Sequence, residues 1–394
     1  MKLLVHDYAG HPFQVQLSRE LARRGHEVTH VYAGSIQTPR GALALRDDDP
    51  AGLGIEGISM SKPFQKQNFV RRRSQEVAYG RLLAARVEEI APDWVISGNT
   101  PTEPQAILLR RCSKLGIRFA SWVQDFYGVA VHRLSRNRIR VLGSLVGRYY
   151  MWLDRRILHQ SDQVILIAED FRLFVHKMGI DPNRVHVIEN WAPLDELSLR
   201  PRINAWSEKH GLSHKFVFLY SGTLGRKHNH ALLLELCRAF QQEERVRVVV
   251  ISEGLGADWL REKRVELGLD NLLLLPYQPF EDMPDVLASS EVLIAILESD
   301  AGVFSVPSKV LTYLCAGKPI LAAVPRQNLA AQIIEKAGAG IVEAPDADRS
   351  FVSAAERLLA DPGLRCRAGA NARSHAERTF DIGRVAAAFM SIMV

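Results

Sequence analysis

Long hydrophobic runs and closely spaced cysteines are both absent from this chain of 394 residues, and each absence excludes a class of protein. The sequence contains no apolar stretch near the roughly 18 residues that a membrane-spanning helix requires. The apolar stretch after the first two residues is also too short for a signal peptide. The four cysteines lie far apart without metal-ligand spacing, which is typical of a cytoplasmic protein with reduced thiols.

A large excess of charge of one sign is also missing overall, but the charge is unevenly distributed. The formal net charge is +6, and residues 62–156 contain 18 Lys and Arg against 7 Asp and Glu. Hydrophobic residues at 47% and charged residues at 24% are usual for a globular chain, which excludes a disordered or collagen-like protein. A basic surface favours an anionic partner, such as membrane lipid, nucleic acid or a phosphorylated substrate.

Short apolar strands alternate with helical stretches in both halves of the chain, which predicts an α/β fold with parallel sheets. Six strands are predicted in each half, at 2–6, 27–33, 93–98, 117–123, 163–168 and 184–189, and at 215–220, 246–251, 271–276, 292–297, 319–324 and 339–344. Twelve strands in one open sheet would be unusual, so we expect two Rossmann-like doubly wound domains with an interdomain cleft. The polar stretch 191–214 has the composition of a linker, and the predicted domains are 1–197 and 198–379.

Polar residues follow three predicted strands of the first half, where such sheets bind ligands. Gly10 and His11 follow the first strand, and their turn could meet an anion or a hydroxyl or be an ordinary strand–helix connection. The turn lacks the three-glycine dinucleotide fingerprint, so NAD binding is not supported. Asn99 could contact a substrate hydroxyl or belong to a helix cap. Asp125 could orient a hydroxyl, act as a base, or cap the next helix.

A glycine-containing loop follows the first strand of the second half, in the segment YSGTLGRK at 220–227. Its glycines let backbone amides approach a ligand, and Arg226 and Lys227 add positive charge beside a predicted helix start. A diphosphate is the natural partner. A role for Arg226 and Lys227 as merely solvent-exposed charges is disfavoured, because cations are unfavourable at the start of a helix.

The segment 298–319 carries the most specific pattern in the sequence. Glu298 and Asp300 follow a strand, a glycine-bearing loop comes next, and a helix is predicted from about residue 307. Backbone amides leading into a helix favour an anion. Lys309 in the first turn of that helix is tolerated if it too faces phosphate, whereas a plain strand–loop–helix would leave it unexplained.

The chain resembles family 4 of the retaining glycosyltransferases, which have the GT-B fold, and most of all members from bacterial surface-polysaccharide clusters. The segments that carry the resemblance are AGHP at 9–12, WVQD at 122–125, IEN at 188–190, YSGTLGRK at 220–227 and VPSKVLTYLCAGKPI at 306–320. The resemblance implies that 1–197 binds the acceptor, that 198–379 binds a nucleotide sugar, and that 380–394 crosses back onto the first domain.

The resemblance also assigns residues to the site. The implied catalytic residues are Asp125, Arg226, Lys227, Glu298 and Asp300. The implied donor-binding residues are Gly222, Tyr277, Gln278, Gly302, Val303, Phe304, Ser305, Ser308, Lys309 and Thr312. The implied acceptor-binding residues are Gly10, His11 and Asn99. Two glutamates that are usual in the family fall on Phe304 and Thr312 here, and Glu298 and Asp300 could substitute for them.

We therefore expect a metal-independent hexosyltransferase that uses no cofactor. It would move a sugar, with retention, from a UDP- or GDP-linked donor to a hydroxyl of a lipid-linked or oligosaccharide acceptor in bacterial polysaccharide biosynthesis. Two alternatives remain open, a nucleotide-sugar epimerase on the same fold and a catalytically silent GT-B subunit.

Two basic segments, 62–73 and 133–158, mix arginine or lysine with apolar residues. They favour an anionic membrane surface, and a core-facing helix with a solvated basic face explains the second equally well. Nucleic acid is not expected, because no recognition fold accompanies the charge. The expected location is cytoplasmic, on the inner face of the plasma membrane if these segments bind lipid. The acidic run 47–49 and the run 228–230 (HNH) are expected at the solvated surface.

Overall fold

The computed structural model describes residues 1–36, 40–60, 69–126, 128–129, 140–225, 227–299 and 306–393. The chain divides into two units, Met1–Asn190 with Ile382–Val394 and Trp191–Asp381. Residues 191–197, predicted in the first domain, group with the second unit. Arg373 explains this grouping, because its Nη1 donates to the carbonyl of Leu197 at 3.0 Å.

The described part of the first unit contains a seven-stranded parallel sheet in the order β3-β2-β1-β4-β5-β6-β7. The strands are β1 (Lys2–Asp7), β2 (Glu27–Ala33), β3 (Leu53–Ile58), β4 (Trp94–Gly98), β5 (Arg118–Val123), β6 (Gln163–Leu166) and β7 (Val185–Val187). Only β3 was not predicted. Its sequence, LGIEGI, lacks a continuous apolar run because it forms the edge of the sheet and is mostly half-buried.

Helices cover this sheet. Those before the linker are α1 (Pro12–Arg23), α2 (Phe69–Ile90), α3 (Thr102–Leu115), α4 (Arg140–Gln160) and α5 (Phe171–Lys177). Helix α1 begins at a proline, whose fixed φ suits a first helical residue, and it buries Leu17 and Leu21 on one face. Gly25 follows its C-cap with φ of +87°, a conformation that glycine adopts at little cost and that ends the helix.

Where the structure describes the second unit, it shows a six-stranded parallel sheet in the order β10-β9-β8-β11-β12-β13. The strands are β8 (Phe216–Ser221), β9 (Val246–Ile251), β10 (Leu272–Leu275), β11 (Val292–Ile296), β12 (Ile320–Ala323) and β13 (Gly340–Glu343). All six overlap predicted segments, because each contains several apolar residues in a short run. Its helices are α6 (Ala205–Lys209), α7 (Ala231–Ala239), α8 (Leu255–Leu267), α9 (Met283–Ala288), α10 (Lys309–Cys315), α11 (Leu329–Ala337), α12 (Asp348–Ala360) and α13 (Pro362–Thr379).

The last helix, α14 (Ile382–Ile392), belongs to the first unit. It packs against α1, where Arg24 Nη2 donates to the carbonyl of Gly383 at 2.6 Å. Phe389 is fully buried, and its ring centroid lies 4.8 Å from that of Trp122 in β5. None of the described helices combines the length and hydropathy that crossing a bilayer demands.

Both sheets share one topological feature that locates a site. The strand order reverses between β1 and β4 in the first unit and between β8 and β11 in the second. In doubly wound sheets, ligands bind outside the carboxyl ends of the strands at such a reversal. The loops after these four strands are therefore the places where chemistry is expected.

Candidate functional site

The loop 222–228, which follows β8, is the centre of the site in the second unit. Gly222 begins it with φ of +131°, a conformation that side chains rarely adopt. A methyl group at this position would lie 3.1 Å from Lys309 Nζ. The glycine therefore leaves room for the lysine head group beside the loop.

Loops after the neighbouring strands meet this loop. The hydroxyls of Thr223 and Tyr277 lie 3.2 Å apart, and the backbone N–H of Glu298 donates to the carbonyl of Lys227 at 2.9 Å. The structure thus brings together Gly222, Lys227, Tyr277 and Glu298, which the sequence placed in three separate segments.

Lys309 is the first residue of α10, and its side-chain nitrogen is buried without a hydrogen bond to any described residue. This Nζ lies 3.5 Å from the ring centroid of Tyr220. Burial, with a smaller contribution from the charge of Lys227, holds the pKa of Lys309 well below its usual value. An anion bound beside Nζ would compensate this burial and stabilise the ammonium.

His228 is a site residue that sequence reasoning missed. The expectation that it is a surface residue was wrong, because only 6% of it is exposed. The backbone N–H of Gly225 donates to its Nδ1 at 3.0 Å, so the ring braces the loop. Burial first, and then the charges of Lys309 and Lys227, lower its pKa to about 3, so the imidazole is neutral at pH 7. Its position directly after the glycine loop was the available signal.

The remaining predicted donor-binding and catalytic residues of the second unit divide into three groups. Gln278 accepts from Trp206 Nε1 at 3.0 Å and donates to the carbonyl of Pro276 at 2.8 Å, so it supports the loop after β10. Ser308 is exposed just before α10, and Thr312 is half-buried one turn into it. The residues outside the described ranges are Arg226, Asp300, Gly302, Val303, Phe304 and Ser305.

A second polar cluster lies in the first unit, after β1 and β4. The Nδ1 of His11 lies 3.2 Å from Asp7 Oδ1 and 3.3 Å from the side-chain nitrogen of Asn99. Gly10 has φ of +79°, and a methyl group there would lie 2.7 Å from the Leu43 side chain. The structure therefore brings the predicted residues Gly10, His11 and Asn99 into one cluster and adds Asp7 to it.

A cavity of about 330 Å³ opens at the same edge of this sheet and is lined by Asn99, Asp125 and Asp154, among others. Asp125 is exposed, whereas Asp154 of α4 is held by two donors, Thr102 Oγ1 at 2.9 Å and the backbone N–H of Gly128 at 2.7 Å. Burial raises the pKa of Asp154 to about 6. Asp154 is the only acidic residue of α4, but its two donors are distant in the sequence, so its burial could not be predicted from the helix alone.

The acidic run at 47–49 is only partly solvated. Asp47 and Asp48 are exposed, but the Asp49 side chain is 2% exposed and accepts from Arg19 Nε at 2.8 Å. The expectation for Asp49 was wrong, because a buried arginine of α1 requires a carboxylate. Across the described residues, no group of three or more His, Cys, Asp or Glu side chains is placed to hold a metal ion.

Two family models match the chain. Residues 11–191 match the Glycosyl transferase 4-like domain, and residues 202–375 match Glycosyl transferases group 1. Together with the two doubly wound sheets, these matches show that the chain belongs to the glycosyltransferases of the GT-B fold.

Curated relatives support the same class. The chain is 23% identical over 305 residues to WcaI of Escherichia coli, a protein named as a putative colanic acid biosynthesis glycosyl transferase. That match covers 76% of this chain and 73% of WcaI. The chain is also 26% identical over 258 residues to WbjE of Pseudomonas aeruginosa, named as a glycosyltransferase, with 63% of this chain and 61% of WbjE covered.

Solved structures confirm the predicted fold. The crystal structure of Anabaena HepE in complex with UDP and glucose superposes with a TM-score of 0.72 at 15% identity, over 99% of this chain and 98% of that one. The structure of WaaG, a glycosyltransferase involved in lipopolysaccharide biosynthesis, gives a TM-score of 0.70 at 17% identity, over 100% and 99%. At these identities the likeness shows the fold alone, and that fold is GT-B.

Proposed function

We propose that this glycosyltransferase moves a hexose from a UDP- or GDP-linked donor to a hydroxyl of a lipid-linked or oligosaccharide acceptor, with retention, in bacterial polysaccharide biosynthesis. The observation that carries the proposal is the buried Nζ of Lys309, which lies beside the glycine loop and has no hydrogen-bond partner among the described residues. Support for the substrate class comes from the colanic acid name of WcaI and from the UDP and glucose bound to HepE.

In the proposed mechanism, the donor diphosphate binds to the loop 222–228. The bond between the sugar's anomeric carbon and the diphosphate oxygen breaks, while the acceptor oxygen forms the new bond on the same face. Negative charge grows on the leaving diphosphate, and Lys227 and Lys309 stabilise it where water is displaced. The departing phosphate oxygen takes the acceptor's proton. Because the two lysines supply the positive charge in this proposal, the transfer uses no metal or other cofactor. Glu298 and Asp125 orient hydroxyls of sugar and acceptor.

Titration of UDP and GDP into the purified protein tests the donor site. Lys309→Met keeps the apolar stem but removes the charge, and we expect it to weaken binding of the preferred nucleotide about ten- to a hundredfold, the worth of one charge-assisted contact. Lys336→Met removes an exposed lysine of α11 and serves as the matched control, with unchanged affinity.

The outcomes of this titration separate the alternatives. Equal nucleotide affinity in wild type and Lys309→Met contradicts the proposed donor site. Binding of neither nucleotide by the wild type favours a catalytically silent subunit. Where nucleotide binds, Lys227→Ala should lose most transferase turnover, whereas release of free epimerised sugar without acceptor would indicate the epimerase instead.

We further propose that α4 lies on an anionic membrane surface at the cytoplasmic face. Leu145 is 58% exposed and Trp152 is 52% exposed, and the neighbouring Arg148, Arg155 and Arg156 are exposed as well. Exposed Trp and Leu beside arginine suit the boundary between lipid headgroups and acyl chains. Residues 62–68 and 133–139, which belong to the two predicted segments, lie outside the described residues.

Sedimentation with vesicles tests this membrane surface. We expect the wild type to bind phosphatidylglycerol vesicles and not phosphatidylcholine vesicles, and Leu145→Gln combined with Trp152→Gln to lose most of that binding. Val265→Gln removes an apolar residue of α8 that is 81% exposed and should bind like the wild type. Equal binding of all three proteins would place the membrane contact elsewhere.

A further inference from the structure

Tyr313 connects helix α10 to the start of the loop 222–228. It lies one turn after Lys309 and is 1% exposed. Its hydroxyl accepts a hydrogen bond from the backbone N–H of Ser221 at 3.0 Å and donates to the carbonyl of the same residue at 3.2 Å. Burial raises the pKa of Tyr313, so the hydroxyl keeps the proton that it donates. One side chain therefore holds both backbone groups of the residue that precedes Gly222.

The backbone of Ser221 needs such a partner because the neighbouring strand ends early. The N–H of Gly222 donates to the carbonyl of Ile251 in β9, so the groups of the preceding residue point to the opposite side of β8. On that side the described pairing of β8 with β11 ends at Leu219. A backbone N–H or carbonyl that is shielded from water without a partner is costly, and the Tyr313 hydroxyl serves both groups.

The same hydroxyl fixes the distance between Lys309 and the loop. Lys309 and Tyr313 are four residues apart, so they share one face of α10. The Lys309 Nζ lies 3.5 Å from the centroid of the Tyr220 ring, and a methyl group at Gly222 would lie 3.1 Å from this Nζ. Tyr220 and Gly222 are the two neighbours of Ser221, and the Tyr220 hydroxyl donates to a carbonyl of the loop at 2.7 Å. The residues that surround the lysine head group therefore flank the residue that Tyr313 holds.

The other end of α10 is fixed without Tyr313. Nη1 of Arg373 in α13 donates to the carbonyl of Cys315, the last residue of α10, at 2.7 Å. Close packing adds to this contact, because a methyl group at Gly369 of α13 would clash with the carbonyl oxygen of Gly317. Loss of the Tyr313 hydroxyl should therefore release the end of α10 that carries the lysine and leave the helix folded.

We infer that Tyr313 is a positioning residue of the donor site, whose hydroxyl sets Lys309 at the distance from the loop 222–225 at which one diphosphate meets both. The inference rests on the proposed function and names the residue that makes the lysine and the backbone N–H groups act on the same ligand. Tyr313 acts through Lys309, because its own hydroxyl is engaged by Ser221. Since a hydrogen bond weakens when donor and acceptor separate beyond about 3.2 Å, even a small shift of Lys309 costs nucleotide affinity.

The first test follows Lys309 by NMR in the full-length protein without nucleotide. An aromatic ring shifts the signals of protons above its face upfield, so the ε-methylene protons of Lys309 should differ from those of exposed lysines, and Lys309→Met assigns their signal by removing it. We expect Tyr313→Phe to move this signal towards the position of exposed lysines. Tyr79→Phe is the matched control, because it removes an equally buried hydroxyl from the first unit, and it should leave the signal in place. An unshifted signal in the wild type, or a shifted one that stays in place in Tyr313→Phe, overturns the inference, whether or not a nucleotide binds.

The second test determines whether the hydroxyl acts through Lys309. We expect Tyr313→Phe to weaken binding of the preferred nucleotide, UDP or GDP, about tenfold, and Tyr79→Phe to bind it like the wild type. Lys309→Met combined with Tyr313→Phe should bind no more weakly than Lys309→Met alone, because the hydroxyl then has no lysine to position.

The outcomes separate this inference from the proposed function. Equal affinity in Tyr313→Phe and the wild type overturns the inference. So does a loss of the same size when Tyr313→Phe is added to Lys309→Met, which would show a general loosening of the loop. A wild type that binds neither UDP nor GDP refutes the proposed function instead, and the NMR signal of Lys309 still decides whether Tyr313 sets the position of the lysine.

Discussion

At the scale of single residues, a buried ion pair supports the turn that carries His11. Arg19 of α1 contacts Asp49 and also donates to the carbonyls of Ala42 at 3.1 Å and Ala44 at 2.9 Å. These bonds hold the 40–49 loop against the Gly10 turn, since the N–H of Gly41 donates to the Gly10 carbonyl at 2.9 Å. The Arg19 guanidinium therefore holds the 40–49 loop in place through these three contacts.

Asp49→Ala leaves the Arg19 charge buried without its carboxylate. We expect a loss of about 3–5 kcal/mol in the free energy of unfolding, measured by urea denaturation. Asp48→Ala, at the exposed neighbour, should change the same quantity by no more than about 0.5 kcal/mol. Similar values for the two variants would mean that the ion pair contributes little to stability.

At the scale of elements, the last helix completes the first unit. The ring of Phe389 in α14 packs against the ring of Trp122, which also contacts Phe13 of α1. Trp122 is buried between them. The core of the first unit is therefore built from residues at both ends of the chain.

Phe389→Ala would leave a cavity beside Trp122. We expect a loss of about 3–5 kcal/mol in unfolding free energy, measured by urea denaturation. Ser391→Ala, an exposed position of the same helix, is the control and should behave like the wild type. Wild-type stability in Phe389→Ala would contradict the assignment of α14 to this core.

The sequence predicted strands best where a run of apolar residues has a single physical cause, burial on both faces of a sheet. Runs such as VRVVVI and VLIAI predicted β9 and β11 because strands covered on both faces are almost entirely apolar. The edge strand β3 was not predicted, because most of its residues are only half-buried and its sequence lacks a continuous apolar run.

Candidate site residues could be predicted from the sequence where they come directly after a strand, as Gly222 and Asn99 do. Asp154 could not be predicted, because its role arises from contacts with Thr102 and Gly128, which are distant in the sequence. Asp7 and His228 were missed although each adjoins a predicted loop, because the sequence does not show that their side chains are buried.

At the scale of the whole molecule, buried neutral histidines make stability depend on pH. Burial is the largest cause that lowers the pKa of His6 to about 3 and that of His30 to about 4. These groups take up protons in the unfolded chain below pH 6.5 but not in the folded one. Their contribution is present above pH 6.5 and is lost as the pH falls towards 4.

Replacement of His30 tests this dependence. Its Nδ1 lies 2.9 Å from Ser18 Oγ, and its Nε2 has no hydrogen-bond partner among the described residues. We expect His30→Phe to reduce the loss of unfolding free energy between pH 6.5 and 4 by an amount on the order of 3 kcal/mol. An unchanged pH dependence in the variant would show that His30 does not titrate differently in the folded and unfolded states.

The position of a bound diphosphate tests the account most directly. In a crystal structure of the protein with UDP or GDP, we predict a phosphate oxygen within about 3.2 Å of Lys309 Nζ, with backbone N–H groups of the 222–225 loop facing the same phosphate. A nucleotide bound elsewhere, or a diphosphate in this pocket with Lys309 Nζ still directed at Tyr220 and out of reach, would contradict the account.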